Sequence, residues 1–340
     1  MVKQEFKKRL VLLDVHAILH RAYHALPDFT SSTGEPTGGL YGLSLMVISL
    51  INELRPDYIV ACYDLPEPTF RKKMYEAYKA GRKKTDEALI KQIIRSREIF
   101  DALSIPYYEK AGFEADDLIG TIAEKGKAEK DLQVVIASGD LDTTQLISGD
   151  KVVVYTLKKG IKDTIIYNED AIKERYGFAP ELMADYKGLR GDPSDNIIGI
   201  KGIGEKTAEN LIINFGGVED IYKALKKDEG TFEKAGVKAR MIELLKAGEE
   251  EALFSKKLAT IKRDVPIDFK LPEKVWRESL DMTKVKKVFA DFEFRTLAPR
   301  LENYLNGGVE ATKDRPSAVP KDGPLSEIDG VRLKKAFIAV

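Results

Sequence analysis

The apolar positions of this chain fall into two rhythms that alternate along its first half. Short runs rich in β-branched residues, "RLVLLD" (9–14), "YIVACYD" (58–64), "LQVVIASGD" (132–140) and "KVVVYTL" (151–157), read as strands. Between them, "GLYGLSLMVISLINEL" (39–54), "TDEALIKQIIRSREIFDAL" (85–103) and "ADDLIGTIAEKGKAEK" (115–130) carry apolar residues at helical spacing. Such alternation predicts an α/β fold with a mostly parallel central sheet covered by helices. After about residue 168 the strand rhythm stops, and short helical stretches broken by Gly and Pro continue to about 305. The expected organisation is an α/β core over 1–168, a helical region over 169–305 and a Gly-, Pro- and charge-rich linker over 306–330. The strand-like "VRLKKAFIAV" (331–340) would begin a following domain.

Composition narrows the class without naming a chemistry. The 340 residues are 43% hydrophobic and 32% charged, as in soluble globular proteins, and no apolar run reaches the length of a signal-peptide core or a membrane span. The single cysteine, Cys62, cannot form an internal disulfide, so a reducing, cytoplasmic location is the expectation. Lys plus Arg equals Asp plus Glu, 55 each, so only the distribution of charge can point to a partner.

That distribution is uneven where the strands end. Asp14, Asp64, Asp140 and Asp142 lie at or just past the ends of three predicted strands, the ligand-binding edge of an open α/β sheet. "GFEADDLIG" adds Glu114, Asp116 and Asp117 at a helix start, and "GDPSDN" adds Asp192 and Asp195 on one face of a turn. Taken singly, each is equally a helix cap or a solvated loop acid. Together, these nine carboxylates would repel one another unless a cation neutralised them. Hard oxygen donors without nearby Cys or His favour Mg²⁺ or Mn²⁺, and so many point to two ions and metal-assisted phosphodiester hydrolysis. His16, His20 and His24 recur every four residues and imitate a zinc ladder, but packing along a helix explains that spacing better.

Two further stretches speak to phosphate. "FRKKMYEAYKAGRKK" (70–84) sets Arg71, Lys72, Lys73, Lys79, Arg82, Lys83 and Lys84 against one acid, Glu76, and interleaves Phe70, Tyr75 and Tyr78. Basic residues with aromatic faces suit single-stranded nucleic acid, although a solvated helix face would look the same. "GIKGIGEKTA" puts Gly202 and Gly204 in a turn before a helix whose first turn holds Lys206 and Thr207, so backbone N–H groups could meet a phosphate. Its spacing is not that of a Walker P-loop.

Six ordered motifs then carry a resemblance: "LLDVHAILHRAYHAL", "CYDLPEPTFRKKMYEAYKAGR", "GFEADDLIGTIA", "ASGDLDTTQLI", "GDPSDNIIGIKGIGEKTA" and "FSKKLATIKRDVP". Over residues 8–305 the chain resembles the 5′ nuclease domain of bacterial DNA polymerase I, within the flap endonuclease family. The resemblance implies a PIN-like core, a helical arch over about 65–104 and a helix-3-turn-helix over about 185–215. It places the same nine acids at the metals, and gives Lys79 and Arg82 the scissile phosphate. It assigns Phe70 and Tyr78 to base stacking and Arg21 to phosphate. Gly202, Gly204, Lys206 and Thr207 would grip the duplex, with K⁺ at the turn carbonyls. The implied function is a monomeric, Mg²⁺-dependent 5′ nuclease acting on 5′-flapped or branched DNA and RNA–DNA primer ends, in lagging-strand maturation and repair, with a polymerase domain possible in the same chain. Val15 replaces the usual Gly after the first aspartate, and Leu141 the usual Lys between Asp140 and Asp142. From the residues alone, a non-catalytic flap-binding module and a hydrolase of small phosphate esters stay open.

Overall fold

The structure is a computed structural model, and it describes residues 6–26, 29–159 and 163–307. Six strands form one sheet: β1 (Lys8–Asp14), β2 (Tyr58–Tyr63), β3 (Tyr107–Glu109), β4 (Leu132–Ala137), β5 (Val152–Lys159) and β6 (Asp163–Tyr167). Their order is β3-β2-β1-β4-β5-β6, parallel except for the antiparallel edge pair β5–β6. Strands β3 and β6 escape the sequence pattern because three and five residues give no readable alternation.

The central strands are buried on both faces, so their residues divide by parity. Leu10 and Leu12 of β1 join Val60, Val134 and Ile136 in one core, while Val11 and Leu13 join Ile59, Ala61, Val135 and Ala137 in another. The first core is closed by α5 (Ala115–Ala128), which offers Leu118, Ile119 and Ile122. The second is closed by α1 (Val15–Ala25), α2 (Gly38–Leu54) and α4 (Glu87–Ala102). Between β2 and α4 the chain makes only a five-residue helix, α3 (Phe70–Met74). The arch expected to be helical is therefore mostly turn from Tyr75 to Thr85: Gly81 lowers helix propensity, and the crowded cations Lys79, Arg82, Lys83 and Lys84 repel one another and offer no apolar face.

After β6 come α6 (Glu169–Tyr176), α7 (Met183–Arg190), α8 (Glu205–Phe215), α9 (Val218–Lys227), α10 (Gly230–Lys234), α11 (Ala239–Ala247) and α12 (Glu249–Ala259). They share the core of α5 through Tyr186, Leu189, Ile203, Leu211, Ile221 and Ile242. The last helices, α13 (Trp276–Ser279), α14 (Met282–Asp291) and α15 (Leu297–Leu305), do not stay with them. Trp276, Val285, Phe289 and Leu301 enter the opposite core beside α2 and α4. The span 169–305 is thus not one unit, because its final apolar faces cover the first half of the chain. The expected linker from 308 onward and the strand-like 331–340 lie outside the described residues. Among the described residues no helix is long and apolar enough to cross a membrane.

Candidate active site and nucleic-acid interface

Parallel pairing in register puts the carboxyl ends of β1, β2 and β4 side by side, with Asp14 paired to Cys62 and Leu13 to both Ala61 and Ala137. The chain leaves each strand into a loop or a helix start, and the acids cap those starts. Asp14 caps α1 by accepting from Ala17 N (3.0 Å), and Ser138 Oγ donates to its other oxygen (2.7 Å). Asp64 accepts from Ala115 N (2.7 Å) at the beginning of α5, and its own N–H donates to His16 Nδ1 (3.2 Å). Asp140 N donates to Ser138 Oγ (3.0 Å), and Asp140 Oδ1 accepts from Asp142 N (2.9 Å). Ser138 therefore ties Asp14 to Asp140, a contact the sequence reading missed.

Electrostatics show which acids burial and like charge push up and which a cation holds down. Burial, then Asp64 and Asp140, push the Asp14 carboxyl up to about 7. Burial, then Asp14, Asp140 and Asp142, raise Asp116 well above the ordinary carboxylate range. Burial and Asp140 also lift Asp142 to about 7, against Lys187. Asp192 runs the other way: although burial would raise it, Lys187 at 2.6 Å and the Ser194 N–H and hydroxyl hold it at about 2.

A second ring of cations closes the site. Lys187, on α7, binds both Asp142 and Asp192. It was not singled out from the sequence; its signal is its position in the last turn of α7, five residues before Asp192. It also brings a positive charge to Asp142 where Leu141, packed partly buried against the core, brings none. From the arch turn, Lys79 Nζ lies 3.0 Å from Glu114 Oε2 and 3.7 Å from Asp195 Oδ2, and Arg82 binds the other Asp195 oxygen. Val15 turns away from the acids into the core, fully buried.

Among the described residues no three His, Cys, Asp or Glu side chains already surround one point. Asp14, Asp64, Asp116 and Asp140 nevertheless form an acidic set in which like charge helps to push Asp14 and Asp116 up, a donor set that fits hard divalent ions. Mg²⁺ keeps several waters and needs only one or two direct carboxylates, so a closed cage is not required.

Three expectations are corrected by the geometry. Asp117 is no metal ligand: it is fully buried and accepts from Arg71 Nη1 and Nη2, Lys262 N (each 2.8 Å) and Glu114 N (3.0 Å), which occupies both oxygens. Arg71 is equally unavailable to DNA, being 2% exposed and also donating to Leu258 O and Thr260 O. Tyr78 cannot stack on a base, because its ring is buried and its hydroxyl lies 3.2 Å from Glu114 and 3.1 Å from Asp195. Phe70 is half-buried, with the Arg71 guanidinium over its ring and Phe113 beside it.

The histidines divide. His16 faces Asp64 and lies edge-on to Tyr63, while His20 and His24 touch each other through Nε2 atoms 3.3 Å apart. Arg21 sits beside Gly139 at the end of β4, next to Asp140. Away from the acids, Gly202 (φ +98°) and buried Ile203 form the turn that delivers Gly204 as cap of α8. A Cβ at Gly204 would meet nothing within 4 Å, so this turn opens to solvent, with Lys206 exposed beside it.

Comparison with known proteins matches two family models in succession: the 5′-3′ exonuclease N-terminal resolvase-like domain over residues 9–177 and the 5′-3′ exonuclease C-terminal SAM fold over 178–282. DNA polymerase I of Bacillus caldotenax is 38% identical over 297 residues, which is 87% of this chain and 33% of that protein. DNA polymerase I of Mycobacterium tuberculosis is 34% identical over 308 residues, 89% of this chain and 33% of that one. The chain thus spans about a third of the length of these relatives. Among solved structures, the 5′-exonuclease of bacteriophage T5 with bound zinc superposes with a TM-score of 0.59 at 22% identity, covering 88% of this chain and 99% of that one. Human GEN1 in complex with Holliday junction DNA gives 0.58 at 14% identity, covering 90% and 75%.

Proposed function

The chain belongs to the 5′-3′ exonuclease family, and on that premise we propose that it is a structure-specific nuclease that hydrolyses phosphodiester bonds near the junction of 5′ flaps and at 5′ primer ends. One observation carries this reading: Asp14, Asp64, Asp116 and Asp140 meet at the strand ends with Lys79 and Arg82 facing the same cleft from the arch turn. An acidic floor opposite a basic wall is what a phosphodiester needs, with the acids holding divalent cations and the wall holding the phosphate.

Asp14, Asp64, Asp116 and Asp140 would hold one ion and Asp142 and Asp192 a second, with Glu114 and Asp195, now paired with Lys79 and Arg82, as further donors. Bound there, Mg²⁺ or Mn²⁺ supplies positive charge to the attacking and leaving oxygens of an in-line displacement. The protein's own groups do the rest. Lys79 and Arg82 now neutralise Glu114 and Asp195, and their ammonium and guanidinium are within reach of a phosphate entering that cleft. Arg21 supplies a further charge beside Gly139. Gly204, Lys206 and Thr207 at the start of α8 would meet a duplex phosphate, and the turn carbonyls would hold a K⁺ ion. Removal of flaps and RNA primers in lagging-strand maturation and repair, in the cytoplasm and by a monomer, completes the reading.

The test is a 5′-flap duplex incubated with the protein and Mg²⁺. Cleavage near the junction that leaves a 5′-phosphate, and that Asp140→Asn abolishes while DNA binding persists, supports it. A folded protein that leaves the flap intact would sink it.

A further inference from the structure

We propose that Asn196 is a positioning residue: it staples the arch turn that carries Lys79 and Arg82 to the loop that carries Asp192 and Asp195, and so fixes where the bond is cut. The inference rests on the nuclease reading above.

The loop itself is rigid. Asp192 and Ile197 exchange two backbone hydrogen bonds, each 2.8 Å, which close residues 192–197 into a ring. At its neck Gly191 (φ +75°) and Gly199 (φ +62°) touch so closely that a Cβ on Gly199 would stand 2.1 Å from Gly191 N. The loop can therefore move only as a body.

Besides the Asp195 carboxylate, which meets Tyr78, Lys79 and Arg82, three contacts join this body to the arch turn. Asn196 Nδ2 donates to Ala77 O (2.7 Å), Lys79 N donates to Asp195 O (2.9 Å), and buried Ile197 packs with Tyr78, Leu258 and Ala259. Both Asn196 (φ +55°) and Lys79 (φ +57°) hold left-handed backbone, an uncommon conformation for residues other than glycine and one asparagine tolerates best. Ala77 O already accepts from Ala80 N (3.0 Å), so the Asn196 amide grips the turn one residue before Tyr78 and two before Lys79. Of the two hydrogen bonds among these three contacts only the one from Asn196 is made by a side chain, and it is a polar group that is neither an acid nor a base of the cleft. Its chemistry, a neutral donor on a short side chain in left-handed backbone, suits a spacer that must not compete for metal or phosphate.

The test separates the staple from the catalytic machinery. Asn196→Gly keeps the backbone conformation and deletes the amide; Asn196→Asp keeps size and backbone preference and removes the donor. In DNA-free, metal-free protein, trypsin should nick after Lys79 about five- to tenfold faster in both variants, the factor expected for one lost hydrogen bond. On a flap duplex with Mg²⁺, both variants should spread the cleavage over neighbouring positions and lower the single-turnover rate, with duplex affinity kept. Nicking at the wild-type rate overturns the staple, and so does faster nicking with an unchanged cleavage position. If the wild-type protein does not cleave while nicking responds as expected, the nuclease reading fails and the staple stands.

Discussion

Arg71 and Asp117 meet through two N–H···O bonds of 2.8 Å each, at a place where neither side chain reaches solvent. The pair joins the start of the arch to the start of α5, and through Leu258 O and Thr260 O to the end of α12. Removing one partner leaves a buried charge unpaired, which costs about 3–5 kcal/mol. Arg71→Ala and Asp117→Ala should therefore each lower stability by roughly that amount in urea unfolding. Asp116→Asn should do the reverse, keeping or raising stability because it removes like charge, while cleavage is lost. Equal loss of stability in both aspartate variants would contradict the division between strut and metal acid.

Lys187 competes with any cation for Asp142 and Asp192. Lys187→Met should tighten Mn²⁺ binding in the absence of DNA by several-fold, read by isothermal titration, and should let the Asp192 carboxyl rise from about 2, read by NMR. Weaker Mn²⁺ binding would show that the ammonium orders the site more than it blocks it.

Stability should depend on pH in a metal-sensitive way. Asp14 and Asp142 have folded pKa values of about 7 against 3.8, so between these values the native state binds more protons than the unfolded one. Their contribution is full below about pH 4 and is lost toward pH 7, by up to about 1.4 kcal/mol per unit for each group. Asp192, at about 2, has the opposite sign: its contribution is present above about pH 4 and is lost as pH falls toward 2. Because a divalent cation binds deprotonated carboxylates, Mg²⁺ should raise Tm more at pH 8 than at pH 5, measured against an EDTA control. An equal rise at both values would argue against these acids as the ligands.

Two glycines should respond differently to one methyl group. Gly199→Ala forces a Cβ into Gly191 in left-handed backbone, and roughly 3 kcal/mol or more of stability should be lost. Gly204 has φ −95° and open space, so Gly204→Ala should fold normally and weaken duplex binding alone. Thermal unfolding paired with a duplex-binding titration reads both.

The sheet and the acidic cluster were legible because parallel strands buried on both faces leave apolar runs, and each run stops at its acid. Asp14 and Asp64 needed only that rule. Asp117 misled because "EADD" puts three acids within four residues, whereas helix geometry turns Asp116 to the cleft and Asp117 inward to Arg71. Tyr78 and Arg71 misled for the same reason: a basic, aromatic stretch reads as a surface until its burial is known. The roles of Lys187 and Ser138 went unread because the partners that draw them into the cluster, Asp142 and Asp14, lie 45 and 124 residues away.

The last three helices also set the order in which the molecule can be completed. Trp276, Phe289 and Leu301 seal the same core that Val11 and Leu13 open at the other end of the described chain. A nascent chain that has released the first five strands can cover Val11 and Leu13 with α1, α2 and α4, but leaves exposed the apolar faces of α2 and α4 that α15 and α14 cover. It cannot reach its final fold until about residue 301 has emerged from the ribosome. A fragment ending at residue 282, where the second family match stops, would leave Phe289 and Leu301 out of the core and should aggregate rather than fold.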